Sequence, residues 1–511
     1  MVRYGLSLAA LLLALPATAQ TDRPLSAIDW LSQSVAPPPA PAAAAIAAPP
    51  RVDEAPVAEG AGTPPVTVTP LDSVTPRAIG TLSQDVTGLP QGLWSASDTE
   101  TILTLLQAQG EPALPALRDL LRTLLLAQAL PPPGDDGALL LARIDTLLDL
   151  ADLSQAQDLI RAGDPMKPAQ FRRWFDIALL TGNEDQPCAA MQSAPGLAPT
   201  LPARIFCMAR GGDWMAAALT LNTHRALGDV TPEDDALLSR FLDADLVDPD
   251  APLPPPERLS PLIFRMREAI GEGLSTRPLP LAFARADLRD TVGEKARLDA
   301  AERLSLHGAL SAQELARVMT GVTPAASGRV WDRVDAFRKF NAAVNAGDAE
   351  AIADTLPVIW DAMQSIRAEV TFAELYAAPL ARFTLSDEAT RIATTLTLLS
   401  GDAAPAAQMA ALPPLVTSIA TGDMTAVVPA TAMEEAIVAG FADTAPPQVY
   451  SDLLAEGRLG EALLRILPVF DAGVAGDARS VTDALLVLRR AGLADTARRT
   501  ALELLLLDRT Q

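Results

Sequence analysis

Apolar residues recur at helical spacing through most of this chain. Ile102, Leu105 and Leu106 form one narrow stripe behind Ser97, and Leu140, Ile144, Leu147 and Leu148 form another. Leu120 to Leu130 and Ala501 to Leu507 read as buried helix faces, being too short to span a bilayer. The Val/Ile/Thr alternation of half-buried strands is scarce after residue 97. Start signals agree: Ser97-x-x-Glu100, Ser311-x-x-Glu314 and Thr371-x-x-Glu374 have capping-box spacing, and Thr231-Pro232 places a cap before a first-turn proline. The expectation is an all-α fold.

Before residue 97 the pattern changes. Arg3, the apolar run Leu6 to Leu15 and Ala17-Thr18-Ala19 before Gln20 make an export signal, expected to be cleaved after residue 19. Leu25 to Val35 is a short apolar island in which Leu25, Ile28, Leu31 and Val35 share one helical face, while Trp30 points elsewhere. Residues 36–65 are rich in Pro and Ala, which predicts a disordered tether. Residues 66–96, with their Val, Thr, Pro and Gly, predict an extended strap with a short strand.

Repetition is degenerate but visible. Gly422, Gly457 and Gly492 sit 35 residues apart, each between apolar helical stretches. The stretch Leu454-Ala-Glu-Gly-Arg-Leu-Gly-Glu-Ala462 resembles the inter-helix turn and second helix of a tetratricopeptide repeat. Similar turns occur around Gly212, Gly347 and Gly492. In such a turn Gly ends one helix in a left-handed conformation, Asp caps the next, and Ala lets the two pack closely. The resemblance covers hairpin centres only, since the family's Trp, Tyr and Pro positions do not recur. It implies an α-solenoid of antiparallel helical hairpins, with exposed grooves as its working surfaces. The Pro-rich stretch 248–258 divides the helices into expected lobes at 97–247 and 259–511, because a proline cluster cannot continue a helix.

Composition narrows the setting. The 511 residues carry a formal charge of −23, which repels phosphate backbones and anionic lipid surfaces; neither nucleic acid nor direct membrane insertion after signal cleavage is expected. Lysine occurs only at 167, 295 and 339 amid abundant Arg and Ala, a bias that reads as high-GC bacterial coding. With the export signal it points to the periplasm. There Cys188 and Cys207, the only cysteines, are expected to pair as a disulfide; two buried free thiols are the alternative.

Residues that carry chemistry are sparse. His224 and His307 lie far apart without metal-ligand spacing, and Asp243, Asp245, Asp248 and Asp250 lack the turn glycine and closing glutamate of a calcium loop, so no metal site is expected. Gly271-Glu-Gly273 is too little of a dinucleotide fingerprint, and no cofactor is expected. Nucleophile-elbow, phosphate-loop and lysozyme-like segments are absent from the sequence, and isolated carboxylates such as Glu314 and Glu374 are attributed to capping. Phe171, Trp174 and Phe175 read as a core stripe, with Arg172 and Arg173 in water.

The expected function is therefore a non-enzymatic periplasmic helical-repeat scaffold or adaptor for a cell-envelope protein. The segment 20–35 is its candidate docking peptide, with Leu25, Ile28, Trp30 and Leu31 as anchors, in cis on its own solenoid or in trans. Two alternatives stand beside it: an envelope enzyme acting on peptidoglycan, and a helical protein that binds a small ligand.

Overall fold

The computed structural model describes residues 77–507, apart from 247, 249, 250, 325–327, 404, 425 and 426. The expected export signal, the apolar segment 20–35, the expected linker 36–65 and the start of the expected strap lie outside the described residues. The fold is all-α: among the described residues 24 α-helices pack on one another and there is no β-strand.

Residues 77–96 lie along the first helices. Ile79 and Leu82 form isolated backbone bridges to Ala129 and Ala127. A single turn, α1 (Gln84–Thr87), follows, and the chain then buries Leu89, Leu93 and Trp94. Arg143 clamps this stretch in place. Its guanidinium donates to the carbonyls of Leu125 (2.6 Å), Ile79 (2.9 Å) and Ala127 (2.8 Å). Burial lowers its pKa to about 10, and the three carbonyl dipoles stand in for a carboxylate.

The helices α2 (Thr99–Gln107), α3 (Pro115–Leu126), α4 (Ala138–Asp149) and α5 (Leu153–Ala162) make the first core. Asp98, not Ser97, caps α2, accepting from the Thr101 N–H at 3.0 Å. The Ser97 N–H closes a turn on the Trp94 carbonyl, and this moves the helix start one residue on. A second group follows: α6 (Pro168–Thr181), α7 (Asp185–Ser193), α8 (Leu201–Arg210), α9 (Trp214–Leu227), α10 (Pro232–Leu242) and α11 (Pro261–Ala269) share the cluster around Phe171, Phe175 and Phe206. The Pro-rich stretch 248–258 joins α10 to α11, which pack on each other, so one apolar cluster continues across it.

A 3-10 stretch, Leu281–Leu288, leads into the third group: α12 (Glu294–Leu306), α13 (Ala312–Gly321), α14 (Val330–Ala346), α15 (Ala349–Gln364), α16 (Glu369–Leu380) and α17 (Asp387–Leu399). Both halves of the Ser311/Glu314 capping box are present. The Thr371/Glu374 box is not, because α16 begins at Glu369 and Thr371 lies inside its first turn. The preceding turn is tight, with Arg367 at φ 52°, and brings the helix start forward. The chain ends with α18 (Ala406–Met409), α19 (Pro414–Thr421), α20 (Ala432–Phe441), α21 (Gln448–Ala455), α22 (Leu459–Val474), α23 (Ala478–Arg490) and α24 (Ala494–Leu506).

Antiparallel hairpins build much of this row. Gly212, Gly347, Gly457 and Gly492 have φ between 69° and 86° and join α8 to α9, α14 to α15, α21 to α22 and α23 to α24, each a packed pair. Gly347 shows the logic. Its left-handed backbone ends α14, and the Asp348 carboxylate then accepts from the Glu350 and Ala351 N–H groups at the start of α15. Gly422 is different: α19 packs on α24 whereas α20 packs on α23, so this glycine ends a helix without folding a hairpin.

The row also returns to its beginning. α22 packs on α2 and α3, and α24 packs on α3, so one apolar core holds Ile102, Leu117 and Leu121 together with Leu463, Leu467, Ala501 and Leu502. Gly460 marks the closest approach. Its N–H donates to the Leu93 carbonyl at 3.1 Å, and a Cβ there would lie 2.5 Å from the Trp94 ring.

Candidate functional site

Two places stand out once the helices are assembled. The first is the polar seam where the chain closes. One polar edge of α3 carries the buried Arg118 and the partly exposed Asp119 and Arg122 at helical spacing, and other parts of the chain converge on them. Arg122 forms a bidentate pair with Asp152, at 2.9 and 3.0 Å, and also binds Asp119. Arg499 reaches Asp119 from α24 at 2.8 Å. Arg118 donates to the Leu150 carbonyl at 2.7 Å and lies 3.3 Å from Glu111, which contacts His307 at 2.5 Å. Beside them Arg285 binds the Ala151 and Ala309 carbonyls and Glu314. These charges spend their hydrogen bonds on one another and on turn carbonyls, so the seam holds four parts of the chain in register.

Glu374 stands on α16 above this seam and remains exposed to solvent. Although its side chain meets solvent, partial desolvation by the surrounding helices and then the Asp119 charge push its carboxyl pKa up, against the pull of Arg499 and Arg122. Its role is therefore not capping. The hydroxyl–glutamate spacing at Thr371 falls inside α16 and forms no cap, and the long-range charges of Asp119, Arg122 and Arg499 that perturb Glu374 leave no local signal in the sequence. A cavity of about 190 Å³ opens nearby, with Asp402, Asp495, Arg498 and Arg499 on its wall. Arg498 is paired with Asp495, and Arg499 with Asp119.

The second place is the outer face of α9. Ala217 and Leu221 anchor the helix inward, and Trp214 lies 6.0 Å from Phe241. On the other side Met215 is 83% and Leu219 68% exposed, and Thr223 and Leu227 continue the same i, i+4 row to the helix end. Trp214 flanks the row, itself half-exposed. α9 is thus packed on one face and still carries an exposed apolar row on the other, interrupted by Thr223, whereas a surface helix ordinarily turns polar residues outward. The sequence contained the signal, Met215 and Leu219 four apart beside buried Ala217 and Leu221, but apolar spacing alone does not say which face is inward.

A disulfide braces this region. Cys188 on α7 and Cys207 on α8 are bonded, with Cα atoms 5.0 Å apart. Phe171 and Phe175 are buried and Trp174 is partly so. Arg173 is not in water, since it forms a bidentate pair with Asp145 at 2.5 and 2.6 Å, and Arg172 lies 3.9 Å from Asp176. Burial pushes the Asp176 carboxyl up to about 7, only partly opposed by Arg172 and Arg173. His224 contacts Asp229 at 3.2 Å, remote in sequence and in partner from His307. Asp243 accepts from the Asp245 N–H, and Asp250 lies outside the described residues. Among the described residues no three His, Cys, Asp or Glu side chains cluster to hold a metal, and no helix is long and apolar enough to cross a membrane. Leu25, Ile28, Trp30 and Leu31, the anchors expected of a docking peptide, lie outside the described residues. No protein-family model, no curated protein and no solved structure matches this chain.

Proposed function

We propose that this chain is a non-enzymatic periplasmic scaffold that binds a cell-envelope protein through the outer face of α9. One observation carries the reading: Met215, Leu219 and Leu227 form an exposed apolar row on a helix whose opposite face is already packed. A row of this kind fits an apolar partner surface, with Trp214 at its edge as an anchor. The Cys188–Cys207 disulfide supports an oxidising compartment, and the closed helical body supports a rigid platform. The test is a photo-crosslinking residue placed at 215 or 219 in living cells, with Asp354 on α15 as the control position. A discrete partner adduct at 215 and 219, lost when the other position is changed to Asp, is the expected result. Identical adducts at all three positions would remove the proposal.

The rival reading, an envelope enzyme acting on peptidoglycan, has one observation in its favour. Desolvation and the Asp119 charge raise the Glu374 carboxyl pKa, the direction a general acid requires. Purified protein incubated with peptidoglycan sacculi separates the two. Soluble fragments that disappear in Glu374→Gln would establish the enzyme, and a scaffold releases none.

A further inference from the structure

We propose that the segment Leu25–Val35 docks in cis along the outer face of α9 and competes there with the protein partner. The inference rests on the reading of α9 as the binding face and supplies its regulation. Three considerations identify the occupant.

The first is fit. α9 has 14 residues, about 21 Å of helix at 1.5 Å per residue, and Leu25 to Val35 on the same rise is about 16 Å long. Leu25, Ile28, Leu31 and Val35 fall on one helical face, as Met215, Leu219 and Leu227 do. Two apolar stripes of similar length and opposite need pack as a helix pair. So short a segment is a marginal helix alone, and takes that form only when packing stabilises it.

The second is reach. The described chain starts beside α4, where Arg143 binds the Ile79 carbonyl. Successive packed neighbours lead from α4 through α5, α6, α7 and α8 to α9. At about 8–10 Å between axes this path is at most roughly 50 Å. Residues 36–76 span on the order of 120 Å in extended polyproline form, and about 35 Å as a flexible coil. The leash covers the distance with slack, and tethering puts the segment at about millimolar effective concentration.

The third is density. Trp214, Met215, Leu219 and Leu227 put four exposed large apolar side chains on one helix, whereas others, such as Val358 and Val449, stand singly. The seam on α3 is lined instead by Arg118, Asp119, Arg122 and their ion-pair partners. An apolar segment gains nothing by covering those groups. α9 is the face on which Ile28 and Leu31 remove apolar surface from water.

The test uses the full mature chain with a photo-crosslinking residue at position 28 or 31, digested and mapped by mass spectrometry. An intramolecular adduct to the 214–227 peptide, independent of protein concentration, is expected. It should fall at least tenfold in Met215→Asp plus Leu219→Asp, and also in Leu25→Asp probed from position 31; helical circular dichroism reports that both variants fold. Adducts spread over other helices, or only between chains, would overturn the proposal. The two readings fail separately. A missing intramolecular adduct beside a partner adduct at 215 sinks cis docking alone. An intramolecular adduct with no partner adduct, even when residues 25–35 are made polar, sinks the scaffold reading and leaves cis docking standing.

Discussion

The Glu503 carboxylate on α24 accepts a hydrogen bond from the Ala116 backbone N–H, at 2.8 Å, across 387 residues of sequence. Ala116 is in the first turn of α3, where Leu114 at the cap position has no side-chain acceptor to offer. Asp471 on α22 does the same for the Ala113 N–H at 2.9 Å. The start of α3, from the residue before its cap into its first turn, is therefore held by carboxylates from late helices of the chain, and negative charge there also complements the helix dipole. Replacing Glu503 with Ala leaves a buried N–H without its acceptor, and should cost about 1–3 kcal/mol in urea unfolding, with Gln costing less.

Gly460 provides a steric counterpart. Substitution with Ala drives a methyl group into the Trp94 ring and against the Leu93 carbonyl, both buried. Overpacking of this kind costs about 1–3 kcal/mol. Combining Gly460→Ala with Trp94→Leu should recover part of that loss, and the double-mutant coupling measures whether the strap and α22 are in contact. Additive effects would show that they are not.

Asp176 predicts a pH dependence. Its folded pKa of about 7 lies above the ordinary 3.8, so between these values the native chain holds a proton that the unfolded chain has released. Stability therefore carries this contribution in full below about pH 4 and loses it as pH rises towards 7. Asp176→Asn should flatten the curve, being more stable than the parent at pH 8 and similar at pH 4. The check is thermal unfolding at the two pH values, and parallel curves for both proteins would refute it.

The disulfide acts on the α6–α11 cluster. Cross-linking residues 19 apart restricts the unfolded chain by about 3 kcal/mol on the chain-entropy model. Cys188→Ser with Cys207→Ser should expose the 195–200 turn to proteolysis well before α14 and α15, which belong to a different cluster.

What the sequence disclosed was whatever has a local cause. Ile102, Leu140 and Leu147 are buried at the spacing that marked them, and Gly212, Gly347, Gly457 and Gly492 stand at hairpin turns because left-handed backbone favours glycine. Thr231 and Ser311 cap the helices they precede. Ser97 and Thr371 misled because a hydroxyl and a glutamate three apart say nothing of where the preceding turn ends. The candidate sites were less legible. The exposure of Met215 and the perturbation of Glu374 are set by helices far away in the chain. Closure itself had no signature, since Gly460 and Glu503 look like any helical glycine and glutamate until Trp94 and Ala116 are placed against them.

Removal of residues 493–511 tests that closure most directly, read by amide hydrogen exchange across α3. If α24 completes the core and caps α3, the amides of residues 116–126 lose their protection in the shortened chain along with those of α22 and α23. Unchanged protection in α3, with losses confined to α23 and α19, would contradict the closed arrangement and describe an open row of hairpins instead.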